Sequence, residues 1–127
     1  MDDSKHKELI DRYIAAYNTF DIGSMLALLS PDIRFENYSG GKLTASTSGI
    51  DEFRQLAEQS KSSFSEREQR ITSLELGHDS AKASIAYRGL LAADIPGGPR
   101  AGTALELPGR SEFSFSNGQI TKIVDRS

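Results

Sequence analysis

An α+β fold is what this sequence predicts, with helices first and a curved antiparallel sheet after them, enclosing a mostly apolar pocket. Three observations point to it. Apolar residues recur at helical spacing in the first half of the chain. They alternate with polar ones at period two in the second half. Nothing in the 127 residues repeats or marks a second unit, so residues 1–127 read as a single domain.

The elements follow in order. Leu9, Ile10, Tyr13, Ile14 and Tyr17 form one face of a helix over about Ser4 to Thr19, with His6 at its exposed start. Asp21 is placed to cap a second helix, in which Ile22, Met25, Leu26 and Leu29 keep helical spacing until Pro31 stops it. Ile33, Phe35 and Asn37 alternate with Arg34, Glu36 and Tyr38, the pattern of a strand. The Gly/Ser/Thr-rich stretch from Ser39 to Gly49 predicts a loop or irregular hairpin. Ser48 and Asp51 have capping-box spacing before a third helix, whose apolar face is Ile50, Phe53, Leu56 and Ala57. Ser60 to Ser65 reads as a polar linker and Ile71 to Leu76 as a strand, closed by a turn at Gly77-His78-Asp79-Ser80. Ala81, Ala83, Ile85, Tyr87 and Gly89 form one side of a longer strand. Asp94 to Gly102, with two Pro and three Gly, is a loop, and its Gly97-Gly98 lacks the strand-to-helix setting of a phosphate cradle. Thr103 to Phe115 is a strand bent at Pro108-Gly109. Asn117-Gly118 signals a tight hairpin into a last strand from Ile120 to Ser127.

Composition excludes several classes of function. Without cysteine there are no disulfides and no thiolate metal sites, which suits a reducing cytoplasm, the expected location. Net charge is −3 with Lys and Arg scattered, so no nucleic-acid partner is expected. The longest apolar runs fall far short of a membrane span, and the polar, acidic Met1-Asp-Asp-Ser-Lys start does not read as a signal peptide. His6 and His78 are isolated from each other and make neither a metal site nor a triad.

Four segments together, RYIAAYNTFD from Arg12, LLSPDIRFEN from Leu28, GIDEFRQL from Gly49 and GRSEFSFSNGQITKIVD from Gly109, resemble the nuclear transport factor two-like superfamily, in its SnoaL-like and ketosteroid-isomerase-like branches. The resemblance spans nearly the whole chain. It implies a cone-shaped half-barrel of the cystatin-like α+β kind, a pocket mouth near the helices, and a homodimer through the outer face of the sheet. A fold of this kind hosts many activities, so function has to be argued from the site.

Set against the isomerase motif, Tyr13 matches the phenol that donates to the developing oxyanion, but Asn37 stands where the carboxylate base belongs and Ser111 where a protonated acid belongs. Against a limonene-epoxide hydrolase relay, Asn37 matches the water-holding amide, but Phe35 replaces a Tyr, and Arg88 has no Asp beside it on its strand, Asp94 already lying in the loop. A SnoaL-like polyketide cyclase asks for less: one base and one donor to a carbonyl. Asp125, on a face with Thr121, Ile123 and Ser127, is the candidate base, and Tyr13 or Asn37 the candidate donor. The expected ligand is an apolar small molecule with one or two oxygens, handled without cofactor or metal. The binding residues would be Tyr17, Phe35, Arg54, Ile85, Tyr87, Ser111, Phe113 and Ile123. The rival reading is a non-catalytic ligand-binding or association module of the same fold, in which Tyr13 and Tyr17 are plain core residues and Asp125 pairs with Arg126 or Arg88. An inward-facing Asp125 and Asn37 would count against it.

Overall fold

The computed structural model describes residues 3–94 and 98–127. Helix α1 spans Asp3–Asn18 and α2 Ile22–Leu26; strands β1 (Leu29–Ser39) and β2 (Lys42–Ser48) follow, then α3 (Ile50–Lys61). Four strands complete the chain: β3 (Phe64–Leu76), β4 (Ser80–Leu91), β5 (Ala104–Ser116) and β6 (Gln119–Arg126). They form one curved, unclosed sheet in the order β2-β1-β6-β5-β4-β3, antiparallel everywhere except between β1 and β6, which run parallel. The helices pack over one face of this mixed sheet, the α+β arrangement expected.

The periodic face of α1 is the one buried. Ile10, Tyr13 and Ile14 join the core, with Leu9 and Tyr17 packed at its edge. His6 corrects the expectation of an exposed helix start. It is only 1% exposed and lies flat on Phe115, with ring centroids 4.1 Å apart. It precedes Ile10 by four residues and Tyr13 by seven, so the helix carries it onto the same face. The helix ends where Phe20 turns left-handed (φ 59°), letting the Asp21 amide donate to the Ala16 carbonyl at 2.8 Å. Asp21 then caps α2 as expected, accepting from the Ser24 amide at 3.1 Å and from the Ser24 hydroxyl at 2.6 Å. These hydrogen bonds hold its carboxyl below the ordinary value.

The second helix stops at Leu26, not at Pro31, and Leu29 already belongs to β1. Pro31 has no amide proton for a ladder, and the sheet avoids asking for one. Between Leu29 and Arg34 the register of β1 on β6 shifts, leaving Pro31 inside the irregularity. The Gly/Ser/Thr stretch is a hairpin, closed by Gly40 and Gly41 at φ 58° and 80°. Ser48 ends β2, and the N-cap of α3 is Gly49, which makes no side-chain cap. The expected capping box is replaced by the Ser48 amide donating to Glu52 Oε1 at 2.9 Å, while Asp51 faces Arg54.

Strand β3 begins at Phe64, seven residues before Ile71, so the expected linker Ser60 to Ser65 is the end of α3, a turn and the start of a strand. At Pro108-Gly109 the pairing of β5 with β4 runs on without a register shift, and the irregularity in β5 lies against β6 at Ser114/Phe115. Pro108 is tolerated because β6 ends opposite Arg110, leaving that stretch of β5 with a single neighbour. Asn117 and Gly118, at φ 53° and 76°, make the hairpin the sequence signals. The expected loop from Asp94 to Gly102 lies partly outside the described residues. In the part described, Asp94 accepts from the Ala101 amide at 2.7 Å.

Candidate active site

Residues directly opposite across a sheet share a face. One rung runs Ala45, Asn37, Asp125, Ser111, Ala83 across five strands, and all but Ala83 line the space between sheet and helices. The next rung down runs Thr47, Phe35, Ile123, Phe113, Ala81 and is dense with rings and branched chains. The polar rung thus stands on an apolar floor. Above it, between sheet and helices, is a cavity of about 380 Å³, within the usual range for a small-molecule site.

Eight of the eleven expected site residues line this cavity: Tyr13, Tyr17, Phe35, Asn37, Ile85, Tyr87, Ser111 and Asp125. Three do not. Phe113 and Ile123 share the lower rung with Phe35, but unlike that partly buried ring they are closed off in the core and belong to the floor. Arg54 is exposed on α3 and turned to Asp51 at 3.4 Å. Arg88 is exposed on the outer face, in a row with Glu68 and Glu106, which removes it from any relay in the cavity.

Asp125 is tied by Ser111, whose buried hydroxyl donates to Oδ1 at 2.6 Å. Burial raises its carboxyl from the ordinary 3.8 to about 6, and the Ser111 hydrogen bond pulls the other way by favouring the ionised form. Neither Arg126 nor Arg88 pairs with it: Arg126 lies 3.4 Å from Glu112 and over the Tyr38 ring. Asn37 donates to Thr44 Oγ1 at 2.7 Å, and Thr44 Oγ1 donates back to the Asn37 carbonyl at 3.1 Å. That exchange fixes the amide at the cavity wall.

Tyr13 presses edge-on to Phe113 from above, at 6.2 Å between centroids. Burial holds its phenol well above the ordinary value, the Asp125 charge adding to the effect. Its hydroxyl makes no hydrogen bond with any other described residue. It is therefore a neutral donor free to serve a ligand. Tyr17 donates to Tyr87 Oη at 3.2 Å, and burial raises both phenols.

Sequence reasoning missed Arg67 and Gln69. Both line the cavity from β3, in the stretch between the expected linker, which ends at Ser65, and the expected strand, which begins at Ile71. Arg67 donates from Nε to the Tyr17 carbonyl at 2.9 Å, and Asn18 exchanges hydrogen bonds with the Gln69 backbone at 2.7 and 3.1 Å. These contacts dock the end of α1 on β3. The signal was present: counting back by twos from Ile71 reaches Gln69 and Arg67.

Among the described residues no three His, Asp or Glu side chains gather as a metal site would require, and no helix is long and apolar enough to cross a membrane.

The Ser111–Asp125 contact yields a first expectation. Ser111→Ala removes the group that favours the carboxylate, so the Asp125 pKa should climb further above about 6. A pH titration followed by carboxyl-carbon NMR should show the midpoint moving up relative to the parent protein.

Comparison with known proteins agrees with this fold. Residues 10–123 match the family model of the SnoaL-like domain. No curated protein matches the sequence. Among solved structures, a candidate polyketide cyclase from Xanthomonas campestris pv. campestris superposes with a TM-score of 0.86 at 23% identity, covering 98% of this chain and 91% of the other. AclR, a candidate hydroxylase from Streptomyces galilaeus, gives 0.78 at 19% identity, over 98% and 89%. A Catenulispora acidiphila protein with a ketosteroid isomerase-like fold, solved with trimethylamine, gives 0.76 at 18% identity, over 93% and 83%. At such identities the likeness is one of fold.

Proposed function

Because this chain belongs to the SnoaL-like domain family, we propose that it is a cofactor-independent isomerase or cyclase that moves a proton on an apolar carbonyl compound, with Asp125 as general base. The observation that carries this reading is the carboxylate itself. Asp125 stands at the wall of an apolar cavity, oriented by Ser111, with its pKa raised to about 6. A base of that strength is ionised at neutral pH and close enough to it to exchange protons with a carbon acid.

The step is balanced within the site. Asp125 takes a proton from the carbon next to a carbonyl, and the C–H electron pair moves into an enolate. The free Tyr13 hydroxyl donates to the enolate oxygen as charge develops there. The protonated Asp125 then returns the proton at another carbon, which is isomerisation. Alternatively, the enolate carbon attacks a second carbonyl of the same substrate, whose π electrons move to its oxygen and take the proton back from Asp125, which is ring closure. Asn37 and Asp125 both line the cavity, which favours this reading over the non-catalytic module.

Deuterium wash-in tests it. Polycyclic ketones and 1,3-diketones incubated in D₂O with the protein should gain deuterium beside the carbonyl faster than in buffer, and Asp125→Asn should lose that gain. Equal incorporation with parent and variant would overturn the assignment of Asp125. The same reading puts a homodimer contact on the outer face of β5 and β6, around the Arg126–Glu112 pair. Sedimentation equilibrium should then return twice the 13.9 kDa chain mass, and a monomer would remove this part.

A further inference from the structure

The reaction above leaves one charged group in the cavity unused. Arg67 is only 6% exposed and lines the cavity, yet no ion pair among the described residues includes it. Its guanidinium lies 3.7 Å over the Tyr17 ring and 4.5 Å from the centre of the Phe20 ring, so the rings stabilise its charge through their faces. Nε is satisfied by the Tyr17 carbonyl. Nη2 is buried with no hydrogen-bond partner, and Nη1 makes no hydrogen bond with a described residue.

A guanidinium presents five N–H groups in a planar fork, and a desolvated fork with one donor used is costly to keep. A docking role alone would need only the Nε bond, which a neutral donor could supply. The field of this charge is felt where the chemistry is placed. Arg67 and Asp125 act with opposite sign on both Tyr13 and Tyr17, so the phenols lie in the field of a cation and an anion together. The other arginines bordering the cavity, Arg110 and Arg126, are exposed, and Arg126 already faces Glu112.

We propose that Arg67 is the anion-binding end of the cavity and that the ligand is an apolar oxo acid, its carboxylate held on the Arg67 fork and its carbonyl nearer Tyr13 and Asp125. Two carboxylate oxygens match two guanidinium N–H groups side by side. The inference rests on the cavity being a ligand site, as in the reading above, but not on Asp125 acting as base.

Binding of 2-naphthoate and of its methyl ester to the full chain at pH 8, measured by calorimetry, tests it. The two probes share shape and differ in charge. The acid should bind at least about tenfold more tightly than the ester, as a charge-assisted hydrogen bond implies. Arg67→Met should abolish that preference without weakening the ester. Arg67→Lys, which keeps the charge but loses the fork, should reduce it, and this variant decides the matter if Arg67→Met does not fold. Asp125→Asn should retain the preference, so failure of the proposed base and failure of the anion site give different patterns. An acid that binds no better than the ester, or not at all, overturns the proposal. So does a preference that survives in both Arg67 variants; in that case Arg67 only docks α1 on β3.

Discussion

Asp125→Asn should slow proton abstraction by about 10²–10⁴-fold and, at pH 8, make the protein more stable. The loss of rate follows because an amide of the same shape keeps the contact with Ser111 but cannot accept a proton from carbon. The gain in stability follows from the direction of the pKa shift. Asp125 is raised from 3.8 to about 6 by burial, so between those values the folded protein holds a proton that the unfolded chain has released. Stability therefore falls as pH rises through that window, and the loss is complete above about pH 6. At 1.36 kcal/mol per pH unit, the interval corresponds to roughly 3 kcal/mol. Asparagine carries no such charge, so the variant's melting temperature should exceed the parent's at pH 8 and approach it near pH 4. A variant that loses both activity and stability at pH 8 would mark Asp125 as structural. The paired outcome, less activity with more stability, is the mark of a group kept for its chemistry. The pH–rate profile of the parent should rise with an apparent pKa near 6 for the free enzyme.

Phe113→Ala should cost about 3–5 kcal/mol, a large part of the ~5–15 kcal/mol that holds a domain folded. Phe113 is 2% exposed and sits opposite Ala81 on one side and Ile123 on the other. Its ring supports Tyr13 edge-on and lies nearly parallel to Phe115 at 6.5 Å. Ala81 on one flank is too short to fill the space a lost phenyl would leave, and Tyr13 and Phe115 would each lose their ring contact. Urea unfolding should show a lower midpoint with little change in slope. Leu107→Ala, at a residue nearly half exposed on the same strand, should change stability by no more than about 0.5 kcal/mol. Equal effects at the two positions would mean the rung beneath the cavity is not the core of the fold.

How much of this was legible in the sequence depended on what each residue type could signal. Period-two alternation grouped Asp125 with Thr121, Ile123 and Ser127 on one face of β6, and it was the family resemblance that turned this face toward the cavity. Alternation fixes a face but not a height along the strand. Phe113 and Ile123 were therefore expected at the cavity wall and lie in the floor beneath it. Arg67 stayed hidden for the opposite reason: in Glu66-Arg67-Glu68-Gln69-Arg70 both faces are polar, so no contrast marks the strand. Leu29 misled because Met25, Leu26 and Leu29 satisfy helical spacing while the backbone has already turned into β1 after Leu28. His6 was readable from its spacing to Ile10, but a place in the first turn of the helix suggested exposure. The hairpin turns were legible because glycine and asparagine at positive φ act locally, without needing the rest of the fold.

The position of β6 in the sheet has a consequence for synthesis. It is the last strand of the sheet to be translated, yet it lies between β1, the first, and β5. Until it emerges, β1 lacks its inner neighbour and exposes an apolar edge that includes Ile33 and Phe35. The hairpin at Asn117-Gly118 can bring β6 to β5 quickly, since it closes a short loop. Joining β1 must wait for contacts some ninety residues apart, such as Leu29 with Ile120. The nascent chain thus carries an incomplete sheet, with open edges, until β6 has been made. Asp125 arrives with that last strand, so no intermediate formed before it can hold the Ser111–Asp125 contact.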